Sequence, residues 1–183
     1  MGRVKDFRPV KLICGIIFSE EKARGQAIKF LVPEFGPLDL ISPDFAFEFS
    51  SYYEPEMGPN LKRCFLSFEK LIRPETLPDI KIWTSQLENK MQELWARTGR
   101  PVNLDPGYLT ASALIMATTK DFSHRVPLRN GIYAHLEFLF SRKGIKILEW
   151  TYPDFRPPAY HDFFLKVRNI YLEQIKDCFS DTP

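Results

Sequence analysis

Cysteine is scarce in this chain: three residues, Cys14, Cys64 and Cys178, lie far apart among 183. Their odd number and wide spacing argue against a disulfide framework, and no CxxC or Cys/His pattern suggests zinc. Each lies in an apolar run, as buried reduced thiols do, which points to a cytoplasmic setting. An excess of one charge is also missing, with 25 Lys+Arg against 23 Asp+Glu and a net charge of +2. The densest basic cluster, Arg142-Lys143 with Lys146 nearby, has the pattern of a hairpin tip. The basic stripe that neutralises nucleic-acid phosphates is therefore absent, and a nucleic-acid partner is not expected. No long hydrophobic run occurs. The charged opening, residues 1–8, leads into an apolar run of only about eight residues, too short for a membrane span. No small-residue cleavage site follows it, so no membrane association is expected. The phosphate-loop pattern GxxxxGK[ST], the dinucleotide pattern GxGxxG, GxSxG and HExxH are all missing, which removes the common cofactor and hydrolase signatures.

Phenylalanine is abundant, at 16 residues. Together with 44% hydrophobic and 26% charged residues, it describes a globular chain with an aromatic core. The length and the lack of a linker or repeat suggest one domain over residues 1–183. Residues 10–18 form a continuous apolar run, the pattern of a buried strand. Ser19, Glu20 and Glu21 open a helix whose face is marked by Ala23, Ala27, Phe30 and Leu31, and Pro33 should end it. Phe45, Phe47 and Phe49 alternate with polar or small residues as in a half-buried strand, and residues 61–68 suggest its hairpin partner. Ile80, Trp83, Leu87, Met91 and Leu94 recur at helical spacing up to a stop at Gly99. The order β-α-β-β-α matches most of a split ferredoxin-like unit.

Further along, Asp105-Pro106 has the form of a helix cap followed by Pro at the first helical position, with a strand at 114–118. Asn130-Gly131 is a hairpin signal between strands near 123–128 and 132–140. In the second of these, Ile132, Ala134, Leu136, Phe138 and Phe140 share one face and Tyr133, His135 and Glu137 the other. Gly144 turns the chain into 145–150, and Pro157-Pro158 opens a last helix that must dock on the sheet. The fold class expected is α+β, with an antiparallel or mixed sheet and about three packed helices.

Polar chemistry concentrates in a few segments. Residues 118–125 pack two hydroxyls, a carboxylate and several cationic groups after a predicted strand, a favoured place for a site. There Lys120 and Arg125 suit a phosphate or carboxylate, and His124 suits proton transfer. Asp105 or Asp121 would orient His124 or a metal. Tyr108 and Tyr152 would shape the walls, and Asp154 lies in a third cluster, residues 149–156. Tyr52, Tyr53, Glu54 and Glu56 form a fourth, whose paired carboxylates could hold a divalent metal through waters. His135 reads as an exposed or satisfied histidine, and His161 as incidental.

These segments carry a resemblance. FEFSSYYEPEMG (47–58), RCFLSFEKLI (63–72), VNLDPGYL (102–109), ATTKDFSHR (117–125), GIYA (131–134) and WTYPDFR (150–156) resemble a prokaryotic family, Domain of Unknown Function 4416. The likeness covers nearly the whole chain. It implies a stand-alone domain of about this length with no assigned activity, and the sequence leaves any cofactor unknown. It also implies an acidic residue after GIYA, and His135 departs from that, which speaks against a ligand role there. From the residues themselves, the leading expectation is a pocket that binds a small anion, a nucleotide or phosphate ester, with catalysis open. The rival is a non-catalytic interaction module or homo-oligomer, since aromatic residues are frequent interface anchors.

Overall fold

The first apolar run becomes β1 (Val10–Phe18), buried at every position because both of its faces are covered. This is seen in a computed structural model that describes residues 2–96 and 98–180. β1 leads into α1 (Glu21–Phe35). This helix runs through Pro33 rather than stopping there. It ends at Gly36, whose φ of 96° takes the chain out of the helical register. Next come β2 (Leu38–Ile41), β3 (Phe45–Ala46) and the short α2 (Glu54–Met57), one of four α-helices among the described residues. The Phe45–Phe49 alternation is strand only at its start. Phe47 instead turns inward to pack with Ile17, Met57 and Leu61. β4 (Lys62–Ile72) and α3 (Leu77–Leu94) follow.

The second half supplies β5 (Val102–Leu109), β6 (Ala113–Thr118), β7 (Val126–Pro127), β8 (Tyr133–Ser141), β9 (Gly144–Ile147) and α4 (Pro158–Ser180). Among the described residues the strands form one sheet in the order β2-β4-β1-β5-β6-β8-β7, with β3 on β4 and β9 on β8. Every pairing is antiparallel. The fold is thus α+β. The ferredoxin-like opening is not established. A strand and a helix do come first, but β2 and β3 share the way to β4, and further strands extend the sheet after α3.

The strand period of two separates the cores. Leu12, Cys14, Ile16 and Phe18 of β1 join Cys64, Leu66 and Phe68 of β4 beneath α1 and α3. Ile13, Phe65, Leu114, Phe138 and Phe140 face the other way, against Phe163, Phe164, Val167 and Tyr171 of α4. No helix among the described residues is long and apolar enough to cross a membrane. Cys14 and Cys64 are buried thiols, and the side chain of Cys178 lies outside the described residues.

Two irregularities of the sheet bear on the candidate site. Asp105-Pro106-Gly107 is not a cap but lies inside β5, in register with Gly15, Cys14 and Ile13 of β1. Pairing of β5 with β6 covers only Gly107, Tyr108 and Leu109, so the first half of β5 parts from that neighbour. On β8, Phe138 faces Leu114 and Leu136 faces Ile115. Glu137 is therefore an extra residue, a bulge of the kind that re-aims side chains. The bulge breaks the strict alternation expected from sequence, and His135, Glu137 and Phe138 are all fully buried.

The glycines of the chain differ in tolerance. A Cβ at Gly107 would stand 2.6 Å from the Ile115 carbonyl oxygen, whereas one at Gly25 in α1 meets nothing within 4 Å. Chemical denaturation should therefore show Gly107→Ala losing about 1–3 kcal/mol to overpacking. Gly25→Ala should gain roughly 0.5–1 kcal/mol of helix stability.

Candidate functional site

Where β5 leaves β6, a strand's worth of backbone polar groups would be left without partners, a costly condition away from water. Two side chains of α3 take the missing strand's place. The Leu104 N–H donates to Glu88 Oε1 at 2.6 Å, and Lys81 Nζ donates to the Leu104 carbonyl at 2.8 Å. Pro106 has the same strand parity as Leu104 and brings no N–H to satisfy. The parting holds a cavity of about 450 Å³, within the usual range of small-molecule sites. Its β5 wall carries Asn103 and Asp105, and its far wall carries Met116–Lys120 with His135 and Glu137. Rings of Phe47, Tyr52, Tyr53, Tyr152 and Phe155 close over it.

Arg63 of β4 is the buried cation at its base, 4% exposed. It ion-pairs with Asp154 and, at 3.1 Å, with Asp105. Reaching Asp105 requires crossing β1, and it does so over Gly15, where a Cβ would come within 2.9 Å of Arg63 Nη2. The guanidinium also lies 4.8 Å from the Phe155 ring and 5.0 Å from Phe65, contacts a delocalised cation favours. Burial opposes its charge, but Asp154 and Asp105 outweigh burial and hold the guanidinium above its ordinary value. Burial raises the Asp154 carboxyl, against the pull of Arg63.

The opposite wall is built on the β8 bulge. Arg125, itself buried, donates through Nε to His135 Nδ1 at 3.3 Å, through Nη1 to the Lys120 carbonyl at 2.7 Å, and through Nη2 to the Tyr152 hydroxyl. A donor at Nδ1 leaves the His135 proton on Nε2. That atom faces Glu137 Oε2 at 3.2 Å, yet neither is aligned in a hydrogen bond. The other carboxylate oxygen of Glu137 accepts from the Tyr152 N–H at 2.7 Å. Burial pushes the Glu137 carboxyl up, against His135 and that N–H.

Of the residues singled out from sequence, Asp105, Lys120, Tyr152 and Asp154 line this one cavity. Arg125 stands behind its wall and positions three of the wall's groups. His124 sits one layer further out, stacked on Trp150 at 5.3 Å and edge-on to His135 at 5.1 Å. Desolvation, with His135 and Arg125 beside it, lowers its pKa. Asp121 is exposed outside the lining, and Tyr108 packs with Leu77, Ala117 and Ile132 elsewhere. Tyr52 and Tyr53 are in the lining, while Glu56 pairs with Arg100 at 2.7 Å. Among the described residues, no group of three or more His, Cys, Asp or Glu side chains is arranged to hold a metal ion.

Arg63, Lys81, Glu88, Arg100 and Asn103 also line the cavity, and no site role for any of them is read from the sequence. Arg63 and Asn103 do share the parity of inward-facing strand neighbours. A charged residue on the buried face of a strand is the available clue, since such groups are rarely buried unless paired.

The family model described as Domain of unknown function (DUF4416) matches residues 8–171, so the chain belongs to that family. No curated protein and no solved structure matches it.

The raised Glu137 carboxyl has a consequence for stability. Its folded value lies above the ordinary 4.5, so the folded state holds that proton more tightly than the unfolded chain. The corresponding stability is fully present below the unfolded value and is lost as pH rises through the folded one. Each tenfold displacement of that equilibrium is worth about 1.4 kcal/mol. Thermal melts from pH 4 to 8 should show wild type losing stability relative to Glu137→Gln as pH rises. A difference that stays constant with pH would contradict this.

Proposed function

We propose that this DUF4416 chain binds a small anionic ligand of the nucleotide or phosphate-ester class in the cavity between β5 and β6. One observation supports this above others. Lys120, at the end of the far wall, is paired with no carboxylate among the described residues, and its Nζ lies 4.5 Å from the Tyr52 ring centre. The other lining cations are engaged: Arg63 with Asp154 and Asp105, Arg100 with Glu88 and Glu56, and Lys81 with the Leu104 carbonyl. An anion entering the cavity thus meets an ammonium held against a ring face and by no carboxylate among the described residues. Thr118 and Thr119 also line the cavity, and the Thr118 hydroxyl accepts from the Lys120 N–H at 3.2 Å. The surrounding rings supply flat apolar area for the rest of such a ligand. A proton-transfer role, if the ligand is also a substrate, falls more readily to Glu137 and His135 than to His124. We also read β2-β4-β1-β5, with α1 and α3 sharing one core, as a ferredoxin-like half extended by β6–β9. The buried thiols of Cys14 and Cys64 fit a cytoplasmic setting.

A second reading has its own observation. Phe122, Val126, Leu128 and Trp150 are exposed around the β7 edge, as an interaction module or homo-oligomer would use. A mass that rises with protein concentration in sedimentation would favour it.

Thermal unfolding against nucleotides, sugar phosphates and inorganic phosphate tests the first reading. A ligand at 100 times its dissociation constant should stabilise the fold by about 2.7 kcal/mol. Lys120→Ala should weaken binding about tenfold or more, as loss of a charged hydrogen bond does. No shift with any compound in the panel would overturn the proposal.

A further inference from the structure

We infer that the inner end of the cavity, at His135 and Glu137, receives the hydrogen-bonding edge of a nucleobase-type heterocycle. This rests on the anion-binding reading and specifies what is attached to the anion. His135 and Glu137 are both 0% exposed, and both line the cavity. Each keeps one polar atom without a hydrogen-bond partner, His135 Nε2 and Glu137 Oε2. Buried polar atoms in that condition are uncommon in folded proteins. Arg125 forces the proton onto Nε2, and the Tyr152 N–H occupies the other Glu137 oxygen. What remains is one donor and one acceptor, side by side at 3.2 Å. The complement is a ligand edge with an N–H next to a ring nitrogen or carbonyl, the edge a nucleobase presents.

One further feature agrees with a planar ligand. The Tyr152 ring lies 4.9 Å from the His135 ring at an interplanar angle of 33°, so an aromatic wall stands beside the polar pair. Lys120 is tied to the same wall, because Arg125 donates both to the Lys120 carbonyl at 2.7 Å and to His135 Nδ1 at 3.3 Å.

Isothermal titration with the four common ribonucleoside triphosphates, ribose 5-phosphate and inorganic tripolyphosphate separates the two claims. At least one nucleotide should bind ten or more times tighter than both ribose 5-phosphate and tripolyphosphate. Glu137→Gln should weaken that nucleotide about tenfold, the loss expected for a charged acceptor, and leave tripolyphosphate unchanged. His135→Asn, which removes the Nε2 donor, is read in the same way should Glu137→Gln not fold. Tripolyphosphate or ribose 5-phosphate binding as tightly as every nucleotide would overturn the base-edge inference and leave the anion site standing. So would nucleotide affinity unaltered by the substitution. Binding by none of the probes would remove both.

Discussion

The cavity exists because a buried backbone can be satisfied without a neighbouring strand. At Leu104 the partners that β6 would supply come from Glu88 and Lys81 of α3. That substitution lets β5 and β6 part while the sheet continues unbroken on either side. A helix that only packed apolar surface on the sheet would not do this, because the exposed N–H and carbonyl would draw the strands together or admit water. Glu88 carries the cost: burial raises its carboxyl, against the nearby Lys81, the Leu104 N–H and Arg100. α3 thus serves both as the cover of one core and as the wedge that opens the site.

Charge is arranged around that opening in committed pairs. Removing one partner of a buried ion pair typically costs about 3–5 kcal/mol, because the other charge is left uncompensated. Arg63 between Asp154 and Asp105 is therefore a fixed feature of the floor, tied to the loop before α4 and to β5 at once. It holds the 152–155 segment over the cavity, and the glycine at position 15 leaves room for its side chain. Against this background Lys120 lacks a carboxylate partner among the described residues, and Glu137, His135, Asn103 and Arg63 each keep one buried polar atom without a hydrogen bond. The site is marked less by the number of its charges than by which of them remain uncommitted.

Legibility in the sequence differs by element. β1, α3 and α4 are plain because burial of a whole strand, or of one helix face, forces a period on the residues. The Asn130-Gly131 hairpin is legible because positive φ at two adjacent positions restricts composition, and Asn130 and Gly131 do take φ of 55° and 75°. Asp105-Pro106 misleads, because the same dipeptide that caps a helix also suits a strand where its neighbour departs. His135 and Glu137 look unremarkable in sequence for a related reason. The bulge at Glu137 is a register shift between two strands, a tertiary fact with no local residue signature. The segments 118–125 and 150–156 stand out as polar clusters, and Lys120, Tyr152 and Asp154 do meet Asp105 in one cavity. Which histidine faces it depends on the fold, and the structure puts His135 there and His124 behind it.

Side chains of α3 replacing a strand at Leu104, and so holding the cavity open, is the feature on which the rest depends. Amide hydrogen exchange resolved by residue tests it directly, comparing wild type with Glu88→Ala. In wild type the Leu104 amide should be protected like those of β1. In the variant it should lose most of that protection while Leu12 and Cys14 keep theirs. Fast exchange at Leu104 in the wild-type protein, or unchanged protection in the variant, would contradict it.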